Sequence, residues 1–175
     1  FTLRAKLRYQ AIASPDDVES SKQQLLGLLS RRLSDEDKAQ ILFDIGLADI
    51  QTGNVMSALE YFNQAQEAFW AQSNYVSWRE VVNQQIELLV AMQWFDRALE
   101  KVTQLVDFSK DVGGEAGIAL HDKALAIMAA DNQWQDMEKV ALTLLEESAE
   151  SGSIKGQFIA SYWLMHVNVQ QQNMD

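Results

Sequence analysis

His121 and His166 are the only imidazoles among the 175 residues, and the chain has no cysteine. A two-histidine metal or acid–base centre would require both rings to converge on one reacting atom. The two stand 45 positions apart, out of step with the repeat described below, which predicts that they point to different sides of the molecule. No H-E-x-x-H pair, phosphate-cradling glycine loop or strained serine elbow occurs. Gly113-Gly114 lacks the preceding strand and following lysine of a phosphate loop and reads as a turn. These residues predict no cofactor, no metal and no enzymatic activity.

The acidic pairs have structural explanations. Asp16-Asp17 follows Ser14-Pro15 at a predicted helix start, where the positive end of the helix dipole favours acids. Glu146-Glu147 are adjacent and therefore splayed on a helix, a solvated edge rather than a carboxylate pair. The tryptophans at 94, 134 and 163, with Met92, Met128 and Met137, fall at core or turn phases and read as packing. Trp70 and Trp78 flank the predicted turn at Ser73-Asn74 and are expected to form an exposed contact patch.

Charge narrows the partners. Fourteen Lys and Arg against 25 Asp and Glu give a formal net charge of −11, which repels phosphate backbones and predicts no nucleic-acid binding. Arg4, Lys6 and Arg8 form one small basic cluster, too few charges for membrane or nucleic-acid affinity. A hydrophobic fraction of 47% predicts a folded chain. No apolar run reaches the roughly 18 residues of a membrane span, so no membrane insertion is expected. Absence of cysteine fits reducing and oxidising compartments alike and leaves the location open.

One Pro and eight Gly are few breakers for this length and point to long helices. Helix starts are predicted at Ser14-Pro15 and at Ser34-Asp35-Glu36-Asp37, and Gly53 is a predicted left-handed stop. Further helices are predicted over 54–71, 74–92, 94–112, 115–131, 133–151 and 153–172. These are of similar length, which calls for a search for internal repeats. Gly53, Gln93 and Asn132 share one phase, as do Val55, Phe95 and Trp134, and as do Ala58, Ala98 and Met137. The period is about 40 residues, one helical hairpin, which must stack on neighbours to bury its apolar face.

Leu42, Ile45-Gly46, Asp49, Gly53, Ala58, Phe62 and Ala65 form the best-defined unit. Gly46 and Ala58 allow two antiparallel helices to approach closely, and Phe62 is expected to fill the space toward the next hairpin. This pattern resembles the tetratricopeptide repeat (TPR) motif in its longer, about 40-residue variant. Asp49 departs from it where an aromatic is usual, and Trp70 where proline is common. The second unit keeps Phe95, Ala98 and Leu105 but has Gln85-Ile86 for the Leu-Gly pair; the third keeps Trp134 and Leu144, with Met137 and Ala141 as departures.

The resemblance implies an all-α solenoid of stacked antiparallel hairpins wound into a right-handed superhelix. Residues 1–14 are then a linker or short helix and 15–175 the repeat domain, with units at about 35–73, 74–113, 114–152 and 153–175. It also implies a groove lined by the first helix of each hairpin: Gln40, Phe43 and Leu47, then Glu80, Asn83 and Glu87, then Asp122, then Phe158 and Ser161. TPR domains that hold the acidic tails of chaperones place Lys, Asn and Arg there, so Phe43, Leu47 and Glu87 predict a different ligand. An extended or helical protein segment with apolar anchors and positive charge fits better. The expected role is a non-catalytic scaffold or adaptor module; the alternative is a sensor domain that controls an output domain. Phe1 and the unpaired helix at 153–172 suggest a piece of a longer protein. Phe158, Ile159, Tyr162, Trp163 and Met165 are expected to need cover, from further chain or from a second copy.

Overall fold

A computed structural model describes residues 15–110 and 115–172. Ser14, the basic cluster, Gly113-Gly114 and residues 173–175 lie outside the described residues. All the described secondary structure is helical. In chain order the helices are α1 (Pro15–Leu29), α2 (Asp35–Gln51), α3 (Val55–Ala71), α4 (Tyr75–Ala91), α5 (Phe95–Lys110), α6 (Glu115–Ala130), α7 (Trp134–Glu150) and α8 (Ile154–Gln172). Their ends fall within about two residues of the predicted ones, because the punctuation is local and strong.

Five of the turns use one device. Gly53, Ser73, Gln93, Asn132 and Gly152 all have positive φ, between 55° and 77°. In each, the residue with positive φ donates its N–H three residues back, and the next residue donates five back, as in Gly53 to Ile50 and Asn54 to Asp49. This double bond pattern satisfies the last carbonyls of the helix and reverses the chain in a few residues. Glycine meets the conformation without strain at 53 and 152; serine, glutamine and asparagine hold it at the other three. The start of α2 is fixed by Ser34, whose Oγ accepts the Asp37 N–H at 3.1 Å. Asp35, Glu36 and Asp37 line the positive first turn.

The chain divides into two compact units, Phe1–Leu88 and Leu89–Asp175. In the first, α2 and α3 pack as a close antiparallel hairpin. A Cβ placed on Gly46 would lie 2.5 Å from Phe62 Cε1 and 3.3 Å from the Ala58 carbonyl oxygen, so only glycine permits this approach. Phe62 is fully buried and tilts against Phe43 with ring centroids 5.7 Å apart. It fills space within its own hairpin. On the α1 side, Leu25, Ile41 and Ile45 form a further cluster with Leu29, Leu33 and Tyr61 around it. In the second unit the core is Leu125, Met137, Ala141, Leu144, Ala160 and Val167. Gly156 of α8 plays the close-approach role there, its missing Cβ leaving room for the Ser148 side chain of α7.

Candidate partner-binding surfaces

Helix α4 carries an exposed polar face in the first unit, as α3 does with Glu60, Asn63, Gln64 and Glu67. Glu80 and Glu87 are exposed and Asn83 is half-buried between them. Spacings of three and four residues put all three on one side of the helix, while Trp78, Val81, Val82 and Ile86 on the other sides are buried. Asn83 Nδ2 donates to the Arg79 carbonyl at 3.0 Å, which leaves the two glutamates as the unburied acids of the stripe.

On α2 the predicted residues separate. Gln40 and Leu47 are half-buried at the surface, and Gln40 Nε2 donates to Asp44 Oδ1 at 3.1 Å. Phe43 is 1% exposed and packs on Phe62, so it belongs to the hairpin core and offers nothing to a partner. The physical reason is rotational: Phe43 lies between two stripes of α2, with Ala39 and Gly46 about 40° and 60° to the side that faces α3 and Gln40 and Leu47 about 60° and 40° to the side that faces out, and its large ring turns onto Phe62.

In the second unit, Asp122 is half-buried and accepts the Trp163 indole N–H at 2.7 Å. Its carboxylate is committed to holding α8 on α6. Phe158 and Ser161 are exposed on α8, Phe158 by 72%. Ile159 and Trp163, predicted to need cover, instead pack toward the core of this unit. Ile154, Phe158, Tyr162, Met165 and Val169 form the exposed apolar stripe.

Trp70 is half exposed, whereas Trp78 is 1% exposed; the contact patch predicted from both is thus carried by Trp70 with Tyr75 and Val76. Trp78 lies beneath, its ring 5.1 Å from that of Trp70. Residue 78 takes the inward stripe of Val81 and Val82, and a large aromatic there closes the core. An open cleft of about 400 Å³ in the second unit is lined by Trp94, Phe95, Asp96, Arg97 and Asp131, with Arg97 stacked 5.2 Å above the Trp94 ring. One turn further on, burial and then the Arg97 charge push the Lys101 ammonium down from its usual range.

The histidines are engaged separately. His121 Nδ1 lies 2.9 Å from the Gly117 carbonyl one turn back on its own helix. His166 is flanked by Trp134 and Trp163, each 5.8 Å away between centroids. Among the described residues no group of three or more His, Cys, Asp or Glu could hold a metal ion. Nor is any described helix long and apolar enough to cross a membrane.

The sequence reading missed one network. Asp49 is fully buried and forms an ion pair with Lys22 of α1, while Ser57 of α3 donates to its second oxygen at 2.6 Å. The hydrogen bond from Lys22 to Asp49 raises the lysine above its usual range. One carboxylate thus ties three helices together. Its signal was present as the acid at a position where the repeat pattern calls for an aromatic.

Helical hairpins of about 40 residues, glycine-mediated close approach and a shared turn define a repeat of the TPR type. Solved structures agree in fold. The chain is similar to the apo form of RapI, with a TM-score of 0.67 and 18% identity, covering 95% of this chain and 45% of that one. It is also similar to the nearly identical TPR-like repeats of a putative kinesin light chain from Podosopora anserina, with a TM-score of 0.68 and 14% identity, covering 98% and 86%. A single-substitution variant of those repeats matches with a TM-score of 0.66. The chain spans less than half the length of RapI. No family model and no curated protein matches it in sequence.

Proposed function

We propose that this chain is a non-catalytic interaction module that binds a segment of a protein partner through the exposed faces of its first-in-hairpin helices. Repeats of this fold commonly mediate protein–protein interaction. The observation that carries the reading is the α4 stripe, where Glu80 and Glu87 stand exposed on a helix whose opposite side is packed. Packing requires a side chain to be apolar or paired; these two acids are neither buried nor needed by the core, and they present negative charge on a rigid element. A partner segment with Lys or Arg interleaved among apolar anchors would match them, with Gln40 and Leu47 of α2 as further contacts. The net charge of −11 speeds encounter with such a basic segment.

A displayed library of random 16-residue peptides tests this. Enriched sequences should carry basic residues between apolar anchors. Their affinity should fall at least about tenfold in the double variant Glu80→Lys/Glu87→Lys, equivalent to about 1.4 kcal/mol. The same peptides should bind the control Glu146→Lys/Glu147→Lys within about twofold. No enrichment over scrambled pools, or equal loss in both variants, would contradict the proposal. Asp122→Lys is a poor probe, because it also removes the acceptor of the Trp163 indole.

A further inference from the structure

We propose that the cleft beside Trp94 binds a small zwitterion of the amino-acid class, its carboxylate on Arg97 and its ammonium on Asp131. The cleft holds about 400 Å³, within the usual range for a small-molecule site. It lies inside the second unit, between the turn that opens α5 and the turn that follows α6. Gln93 and Asn132 set those two turns, each with φ of 58°. Both turns carry the same double hydrogen-bond pattern, so the lining stands on fixed helix ends.

The lining says which chemistry fits. Arg97 is exposed, and its guanidinium lies 5.2 Å above the Trp94 ring with no carboxylate partner among the described residues. Stacking fixes the guanidinium plane and leaves its N–H edge as a bidentate fork for a carboxylate. Burial, and then Arg97 one turn back, lower the Lys101 ammonium. A carboxylate bound at Arg97 offsets the second of these causes. The other charges of the lining are acidic. Asp131 is half-buried, takes the Gln133 side-chain amide on Oδ2 at 2.5 Å, and keeps Oδ1 for a ligand. Asp96 adds a second, exposed carboxylate. A bare anion would meet these two acids and the net charge of −11, and a simple cation would meet Arg97. A molecule that carries both charges a few bonds apart satisfies both. Trp94 and Phe95, each half-buried, supply apolar surface for an aliphatic or aromatic side chain.

This site shares no residue with the α4 and α2 faces, so the two readings can fail independently. The test is titration of the full chain with each of the twenty common amino acids. Binding is read from the Trp94 indole N–H by NMR and from calorimetry. At least one apolar or aromatic amino acid should saturate with a Kd below about 1 mM, moving Trp94 and leaving the amides of Glu80 and Glu87 in place. Its N-acetyl and C-amide forms should each bind at least about tenfold more weakly. Arg97→Met should abolish the preference for the free acid over the amide. Asp131→Asn, which keeps an acceptor for Gln133, should abolish the preference for the free amine over the acetylated one. Glu80→Lys/Glu87→Lys should bind the amino acid as the wild type does. No saturation by any amino acid up to about 10 mM, or binding indifferent to both Arg97→Met and Asp131→Asn, overturns the inference. A blocked form that binds as tightly as the free amino acid would assign the cleft to the end of a polypeptide and overturn it equally.

Discussion

Removing the cation from the Lys22–Asp49 pair should destabilise the first unit more than any other single surface-charge change. Asp49 has no exposure, and the Lys22 side chain retains 13%. Lys22→Met keeps the aliphatic stem but leaves the carboxylate with Ser57 as its side-chain donor. Breaking a buried pair from one side costs about 3–5 kcal/mol, because the remaining charge stays desolvated. Lys22 lies toward the edge of the site, so water can partly reach the vacated position; the lower end, about 3 kcal/mol, is the expected loss. Lys22→Met/Asp49→Leu should recover most of it, since no uncompensated charge remains. Lys139→Met provides the contrast. Its pair with Asp136 is 2.8 Å long but open to solvent on both sides, and its removal should leave the unfolding midpoint unchanged. Hydrogen exchange of α1–α3 amides against urea, followed by mass spectrometry, reads the first unit separately from the second. Equal, small effects of Lys22→Met and Lys139→Met would refute the argument that burial sets the value of the pair. The pH dependence follows with a definite sign. A lysine whose folded pKa is raised contributes fully below its ordinary value of 10.5 and loses that contribution as pH climbs through the folded value. Wild-type protein should therefore lose stability above about pH 10.5 more steeply than Lys22→Met.

Two further outcomes test packing and turns. Gly46→Ala should cost about 1–2 kcal/mol in urea unfolding, since overpacking against the buried Phe62 outweighs the gain in helix propensity. Gly27→Ala, with open space around the added methyl, should gain about 0.5–1 kcal/mol; equal signs for the two would contradict the close-approach account. Ser73→Gly, Gln93→Gly and Asn132→Gly, each at φ between 55° and 58°, should raise stability by roughly 0.5 kcal/mol apiece in thermal unfolding. Uniform loss at all three would show that the left-handed turns carry no strain.

How much was legible depended on the range of the signal. Ser34 with its three acids, Gly53, and the shared phase of Gln93 and Asn132 act within a few residues, so helix ends and the hairpin period were readable from sequence. The glycine at 46 was readable because a small residue in an apolar stripe has one common purpose, close approach. Side-chain direction was less so. Phe43 and Leu47 are four residues apart, yet one faces α3 and the other the surface, and a stripe displaced by one residue exchanges core for groove. Trp78 was misplaced for the same reason. The Lys22–Asp49 pair spans 27 residues and the turn between two helices, and no local pattern joins a lysine in α1 to an acid in α2. The α8 stripe was half legible: Phe158, Tyr162 and Met165 could be read as apolar residues on one side of a helix, but the inward turn of Ile159 and Trp163 depended on how α8 rotates onto α6 and α7.

We propose that partners are held on the outward faces of α4 and α2. Backbone-amide NMR shifts, followed while an enriched basic peptide is titrated into the full chain, test it most directly. Perturbations should concentrate at Glu80, Asn83, Glu87, Gln40 and Leu47, and largely vanish in Glu80→Lys/Glu87→Lys. Shifts confined to α3, or to the Trp94–Arg97 cleft, with the α4 amides unmoved, would contradict it.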